Sequence, residues 1–72
     1  MGKTYKLEQR PASLGGGYKV TFFDEDGEEA GAGIFPLGDY DYFEDSVLAM
    51  DQALADAESE GEAFVQGLPG VR

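Results

Sequence analysis

Seventy-two residues with fifteen acidic and five basic side chains, no cysteine and no histidine, make one small domain (residues 1–72) of formal net charge −10. That inventory excludes a disulfide framework and a conventional zinc site, and the charge repels nucleic acid and anionic membranes. A hydrophobic content of 42% with five phenylalanines and four tyrosines excludes a disordered acidic tail, which lacks such side chains.

The first residues, Met1 to Lys6, have no apolar run of the signal-peptide kind. Gly2 invites comparison with a myristoylation motif, but Lys6 stands where serine or threonine is required. No apolar stretch approaches the roughly 20 residues of a membrane span. The expectation is a cytoplasmic protein.

Thr4 to Gln9 alternates as a strand, Tyr5 and Leu7 on one face and Lys6 and Glu8 on the other. Pro11 ends it, and Ser13 to Gly17 reads as a loop. Tyr18 to Phe23 is the clearest strand, with Tyr18, Val20 and Phe22 opposed to Lys19, Thr21 and Phe23. Asp24-Glu25-Asp26-Gly27 is a turn in which Gly27 supplies the positive φ. Glu28 to Phe35 returns as a third strand with Ala30, Ala32 and Ile34 inward. Phe23, Phe35 and Thr21 then occupy the opposite sheet face, either as a contact patch or dimer seam or packed beneath the connector.

After a connector at Pro36 to Tyr40, a helix begins at Asp41, where Asp41 and Glu44 resemble a capping box; Asp45 before Ser46 is a rival start. Phe43, Val47, Met50, Leu54 and Ala57 form its apolar stripe, and Gly61 its C-terminal cap. Ala63-Phe64-Val65 is either a short last strand or a segment that packs its phenylalanine on the sheet. Gly67-Leu68-Pro69-Gly70 reads as a tail. The expected fold class is α+β: a three-stranded antiparallel sheet with one amphipathic helix packed on one face, in the order β-β-β-α.

Function is carried by the charge. From Val20 to Val71 there are fourteen carboxylates and no lysine or arginine; the five bases are Lys3, Lys6, Arg10, Lys19 and Arg72. Surfaces that are charged only for solubility mix both signs. Halophilic adaptation is the plainer explanation; a surface that attracts a basic partner is the other. On a helical wheel Glu44, Asp51 and Glu58 fall in line, about 10 Å apart at seven-residue spacing. That separation matches roughly three nucleotides of a duplex strand. The expected contact charges are Asp24, Asp26, Glu28, Asp39, Asp41, Glu44, Asp51 and Glu58. In Asp39-Tyr40-Asp41-Tyr42-Phe43, acids alternate with aromatics; Tyr40 and Tyr42 are the expected anchors, one of them buried and one exposed.

Other chemistries fare worse. With Gly27 at position 6 of an EF-hand loop, Phe22 and Gly33 fall at positions 1 and 12, so two essential ligands are missing. Gly15-Gly16-Gly17 is not followed by the Gly-Lys-Ser/Thr of a phosphate loop. Without histidine or cysteine, acid–base chemistry falls to carboxylates, lysine or tyrosine, in a chain with little room for a cleft. The expectation is a protein that is not an enzyme and uses no metal or cofactor.

In size, charge and β-β-β-α layout the chain resembles the small acidic inhibitors encoded by phages and mobile elements, the anti-CRISPR proteins above all. That resemblance implies a DNA mimic occupying the lysine- and arginine-lined channel of a nucleic-acid-binding protein or ribonucleoprotein, without direct contact to nucleic acid or membrane. Locally, Gly16-Gly17-Tyr18-Lys19-Val20-Thr21-Phe22-Phe23-Asp24 is similar to the second-strand motif of HicB-like antitoxins, as Ala49 to Ala57 is to their alanine-rich helix. Phe23 stands where that family usually has proline, and these residues do not include the C-terminal DNA-binding segment of many members. This second resemblance implies neutralisation of a small RNA-cleaving toxin. A self-associating module, as a homodimer through Phe23 and Phe35, is the remaining alternative.

Overall fold

In-step large side chains on three extended segments build one sheet. The computed structural model describes residues 2–67. β1 (Thr4–Gln9), β2 (Tyr18–Phe23) and β3 (Glu29–Phe35) pair antiparallel in the order β1-β2-β3, and α1 (Ser46–Gln66) packs on one face. Two 3-10 turns, Ala12–Leu14 and Leu37–Tyr40, lie in the connections. The expected α+β architecture is therefore present. Leu68, Pro69 and Gly70, read as tail, lie outside the described residues.

The register places Tyr5 opposite Phe22, Leu7 opposite Val20 and Gln9 opposite Tyr18. On the other side Tyr18 faces Phe35, Val20 faces Gly33 and Phe22 faces Gly31. Since residues directly opposite share a face, the helix side of the sheet carries Tyr5, Leu7, Tyr18, Val20, Phe22 and Phe35 with two glycines. This corrects the expected inner face of β3: Ala30 and Ala32 are exposed, and Ile34 keeps 50% of its surface. The reason is volume. A Cβ on Gly33 would lie 3.3 Å from both the Phe35 ring and Val20 Cγ1, and one on Gly31 would lie 3.7 Å from the Phe22 ring. Neighbouring large side chains cover the glycines, so no side chain is needed there. Phe35 likewise moves from the open face to the helix face, while Thr21 and Phe23 stay on the open one. A register shift between Phe22 and Phe23 coincides with the start of β3 at Glu29.

The helix corrects the sequence reading in phase and at its C-terminal end, and it takes the rival start at Asp45 rather than the one at Asp41. Asp45 is its N-cap, accepting the Val47 N–H at 2.8 Å; Asp41 instead follows the Leu37–Tyr40 turn. The last turn closes at Gly67, φ +71°, whose N–H reaches the Ala63 and Phe64 carbonyls. Gly61 is thus interior to the helix, and Ala63-Phe64-Val65 is helical rather than a strand. Phe64 does pack on the sheet, stacked on Phe22 at 4.9 Å between ring centroids.

The buried stripe is Ala49, Ala53, Ala57 and Gly61, with Ala63 beside it. Met50 and Leu54 flank it half-buried, whereas Val47 is 63% exposed and Phe43 precedes the helix. Large side chains from the sheet meet small ones from the helix, which lets the two layers approach closely. Tyr40, Ala49 and Ala53 form a core cluster with Tyr18, Phe35, Leu37 and Phe43 around it. The helix accordingly starts over the Tyr18–Phe35 end of the sheet and finishes over the Tyr5–Phe22 end.

Candidate functional site

α1 runs from one acidic end of the molecule to the other. The hairpin acids Asp24, Glu25, Asp26, Glu28 and Glu29 lie at the sheet end where α1 finishes. Asp39, Asp41 and Glu44 lie at the end where it starts. Between them, Asp51 and Glu58 are exposed on the helix surface away from its buried stripe. The expected line Glu44-Asp51-Glu58 is corrected in one member: Glu44 precedes the N-cap and is off the helical wheel. Glu62 takes its place in the outward row. From Asp51 to Glu58 to Glu62 the axial steps are about 10 Å and about 6 Å.

Several of the acids also have structural partners. Asp24 Oδ1 accepts the Glu28 N–H at 3.3 Å and its carbonyl accepts the Gly27 N–H at 3.0 Å, which shapes the hairpin. Asp45 caps α1. Glu62 accepts the Tyr5 hydroxyl at 2.8 Å, and Asp56 accepts the Tyr40 hydroxyl at 2.6 Å and Gln52 Nε2 at 2.9 Å. Asp26, Glu28, Asp39, Asp41, Glu44, Asp51 and Glu58 are exposed, as are Asp45 and Glu62. Asp24, Glu25 and Asp26 line a shallow depression of about 460 Å³ with Gly2, Thr4 and Gly27.

Most of the described bases lie elsewhere. Lys6 and Lys19 project from the open sheet face, where Lys6 pairs with Glu8 at 3.8 Å. Arg10 donates to the Gly16 and Leu14 carbonyls, both at 2.8 Å, holding the β1–β2 connection. Lys3 stays on the helix side, 5.3 Å from the centre of the Phe64 ring. Among the described residues no three carboxylates converge in a group able to hold a metal ion, and no helix is long and apolar enough to cross a membrane.

One tyrosine of the expected pair is buried and the other exposed. Tyr40, at 6% exposure, is a core residue and is corrected from anchor to scaffold. Tyr42, at 71%, stands on the surface with Phe43 at 4.7 Å and Tyr40 at 6.4 Å behind its ring. Burial, then the hydrogen bond to Asp56, pushes the Tyr40 phenol above its ordinary value of 10.0. The hydrogen bond to Glu62, and to a lesser extent burial, raises Tyr5 in the same direction.

A phenol with a raised folded pKa contributes stability that is present below the unfolded value and is lost as pH rises beyond it. Stability should therefore fall above about pH 10 as the unfolded chain ionises Tyr40 and the folded chain does not. Tyr40→Phe is expected to cost about 1–2 kcal/mol at pH 7, by leaving Asp56 one donor short. The same substitution should flatten the alkaline decline. Urea unfolding at pH 7, 10 and 11 measures both; an unchanged alkaline slope would exclude Tyr40 as its source.

No family model, curated protein or solved structure matches the chain.

Proposed function

We propose that this protein is a non-catalytic inhibitor that binds a basic nucleic-acid-binding protein or ribonucleoprotein, such as a CRISPR effector, and covers its nucleic-acid site with carboxylates. The observation that supports this reading most is the outward row on α1, running between two acidic ends in a stretch, Val20 to Gly67, that contains no basic residue. Opposite charge steers two bodies together and sets the association rate, while a few well-supported side chains determine residence. Tyr42 suits the second of these roles, since its ring is exposed, backed by other rings, and flanked by Asp41, which can pair with an arginine. The depression under the hairpin adds a place where a partner's lysine or arginine meets carboxylates.

The β-β-β-α order also favours a second reading, a HicB-like antitoxin, because that resemblance implies the same layout. Its partner is again basic, a small RNA-cleaving toxin, so both readings use the same surface and differ in what it meets. The test is displacement of a labelled oligonucleotide from CRISPR effector complexes and from small RNA-cleaving toxins at stepped salt. Wild-type protein should displace it from one of these classes, less well as salt rises. Reversing Asp51 and Glu58 together to lysine should weaken displacement roughly thirtyfold, about 1 kcal/mol for each carboxylate pairing lost, with a native circular dichroism spectrum. A lysine at Glu8, on the open sheet face, should leave it intact. Equal loss in both variants would point to bulk charge rather than the helix surface.

A further inference from the structure

The two edges of the sheet are built differently. β1 carries Lys6 and Glu8 on its open face, the charged side chains that ordinarily discourage an edge strand from pairing with another chain. β3 has fewer of these devices: no charge and no proline from Ala30 to Phe35, with the register irregularity confined to Ala30, between the Phe22–Gly31 and Phe23–Glu29 pairs. Its backbone is paired with β2 on one side and, among the described residues, with no strand on the other. Ala30, Ala32 and Ile34 are exposed along it.

We infer that β3 pairs with β3 of a second copy of this chain, antiparallel and centred on Ala32, to give one six-stranded sheet. Charge selects this occupant and this direction. In a chain of net charge −10, the middle of β3 is a stretch where two copies can meet without bringing carboxylates together. The antiparallel register sets Ala32 opposite Ala32, Gly31 opposite Gly33, Ala30 opposite Ile34 and Glu29 opposite Phe35 of the second copy. A parallel pairing would place Glu29 against Glu29, and like charges directly opposite are destabilising. The domain also has reason to enlarge itself: Val20 is the one large side chain with less than 2% exposure among the described residues, and small cores are commonly supplemented by oligomerisation.

The two-fold axis of such a pair is perpendicular to the sheet, so both helices lie on the same side. Their acidic rows run antiparallel, with the two β2 strands beneath them three strand spacings, about 14 Å, apart. The pairing itself stands whether or not the protein is an inhibitor.

Sedimentation of the wild-type chain in 0.5 M salt, which screens the net charge, is expected to show a monomer–dimer equilibrium. Ala32→Glu and Ala32→Lys each put like charges across the axis and should weaken the dimer at least about tenfold. Mixed one to one, the two variants should recover it. Residue 32 faces solvent in the monomer, so each variant should keep a native circular dichroism spectrum. Hydrogen exchange of the wild-type dimer supplies a readout independent of mutation: backbone pairing slows amides within residues 30–34, whereas stacking of open sheet faces leaves them fast. A chain that stays monomeric up to about 1 mM, a dimer indifferent to both substitutions, or a dimer with no slowing in β3 overturns the inference.

Discussion

Gly17→Ala is expected to remove about 2–5 kcal/mol of stability, against a total of about 4–11 kcal/mol for a chain of this length. Two costs add. Gly17 has φ +84°, a left-handed conformation that costs an L-residue about 1–2 kcal/mol. The new methyl would also overlap the Phe35 carbonyl oxygen and lie 2.9 Å from Pro36 Cα and 3.0 Å from Leu37 N. These are backbone atoms and have no rotamer to change. Relief requires parting the start of β2 from the end of β3, where overpacking costs about 1–3 kcal/mol. The Gly17 carbonyl also accepts the Arg10 N–H at 2.8 Å, so the strain reaches the β1–β2 connection. Gly27→Ala is the matched control. Its φ of +82° is nearly the same, but among the described residues nothing lies within 4 Å of its Cβ position, so it should cost only the conformational 1–2 kcal/mol, roughly. Urea unfolding followed by circular dichroism compares the two; equal losses would mean that the contact with β3 carries no weight.

The strands are legible in the sequence because their faces are marked by large side chains. Tyr5, Leu7, Tyr18, Val20 and Phe22 alternate with polar residues, and the structure keeps all five on the helix side. The faces of β3 are not legible in this way, because hydropathy assigns nothing to glycine. Ala30, Ala32 and Ile34 look like an inner face until Gly31 and Gly33 are recognised as the space beneath Phe22, Val20 and Phe35. The phase of the helix is hidden for the same reason. Val47, Met50 and Leu54 outweigh Ala49, Ala53 and Ala57 on any hydrophobic scale, but a sheet face already filled by aromatic rings accepts the smaller stripe. Asp45 outcompetes Asp41 as N-cap because the chain first turns through Leu37–Tyr40 to bury Tyr40, which puts Asp41 before the helix.

Of the candidate surface, the charge is fully visible in the sequence and its sorting among partners is not. Asp56 looks like another surface acid, yet it holds Tyr40 and Gln52. Glu62 does not stand out while the helix is taken to end at Gly61; its seven- and four-residue steps from Asp51 through Glu58 put it on their face once α1 extends further. Tyr40 and Tyr42 are two residues apart in a bent connector, so spacing assigns one inward and one outward but not which. The side chains around them decide that: Ala49 and Ala53 leave room for one ring, and the Asp56 carboxylate receives its hydroxyl.

Gly61→Ala should destabilise the protein, opposite to the usual outcome of the same change in the interior of a helix. There, alanine gains about 1 kcal/mol over glycine because it restricts the unfolded chain and suits the helix. Here the added methyl would overlap the Tyr5 ring. The ring is held by its hydroxyl bond to Glu62 and lies between sheet and helix, so it can yield only by losing that bond or by lifting α1. Overpacking of about 1–3 kcal/mol, added to a lost hydrogen bond of about 1 kcal/mol, outweighs the helical gain. The net expectation is a loss of about 1–3 kcal/mol from those contributions. In a Tyr5→Ala background the ring is absent and the sign should reverse, Gly61→Ala becoming stabilising by up to about 1 kcal/mol. The double-mutant cycle therefore carries a coupling of about 1–4 kcal/mol between the two positions. It also separates the two roles a glycine can have at this point in the chain. A terminal cap with positive φ would penalise alanine whatever residue 5 is, whereas an interior glycine chosen for close approach does so only while the ring is there. Chemical denaturation of the four proteins measures the cycle, and a Gly61→Ala variant more stable than wild type with Tyr5 in place would show that helix and sheet are not in the close contact described.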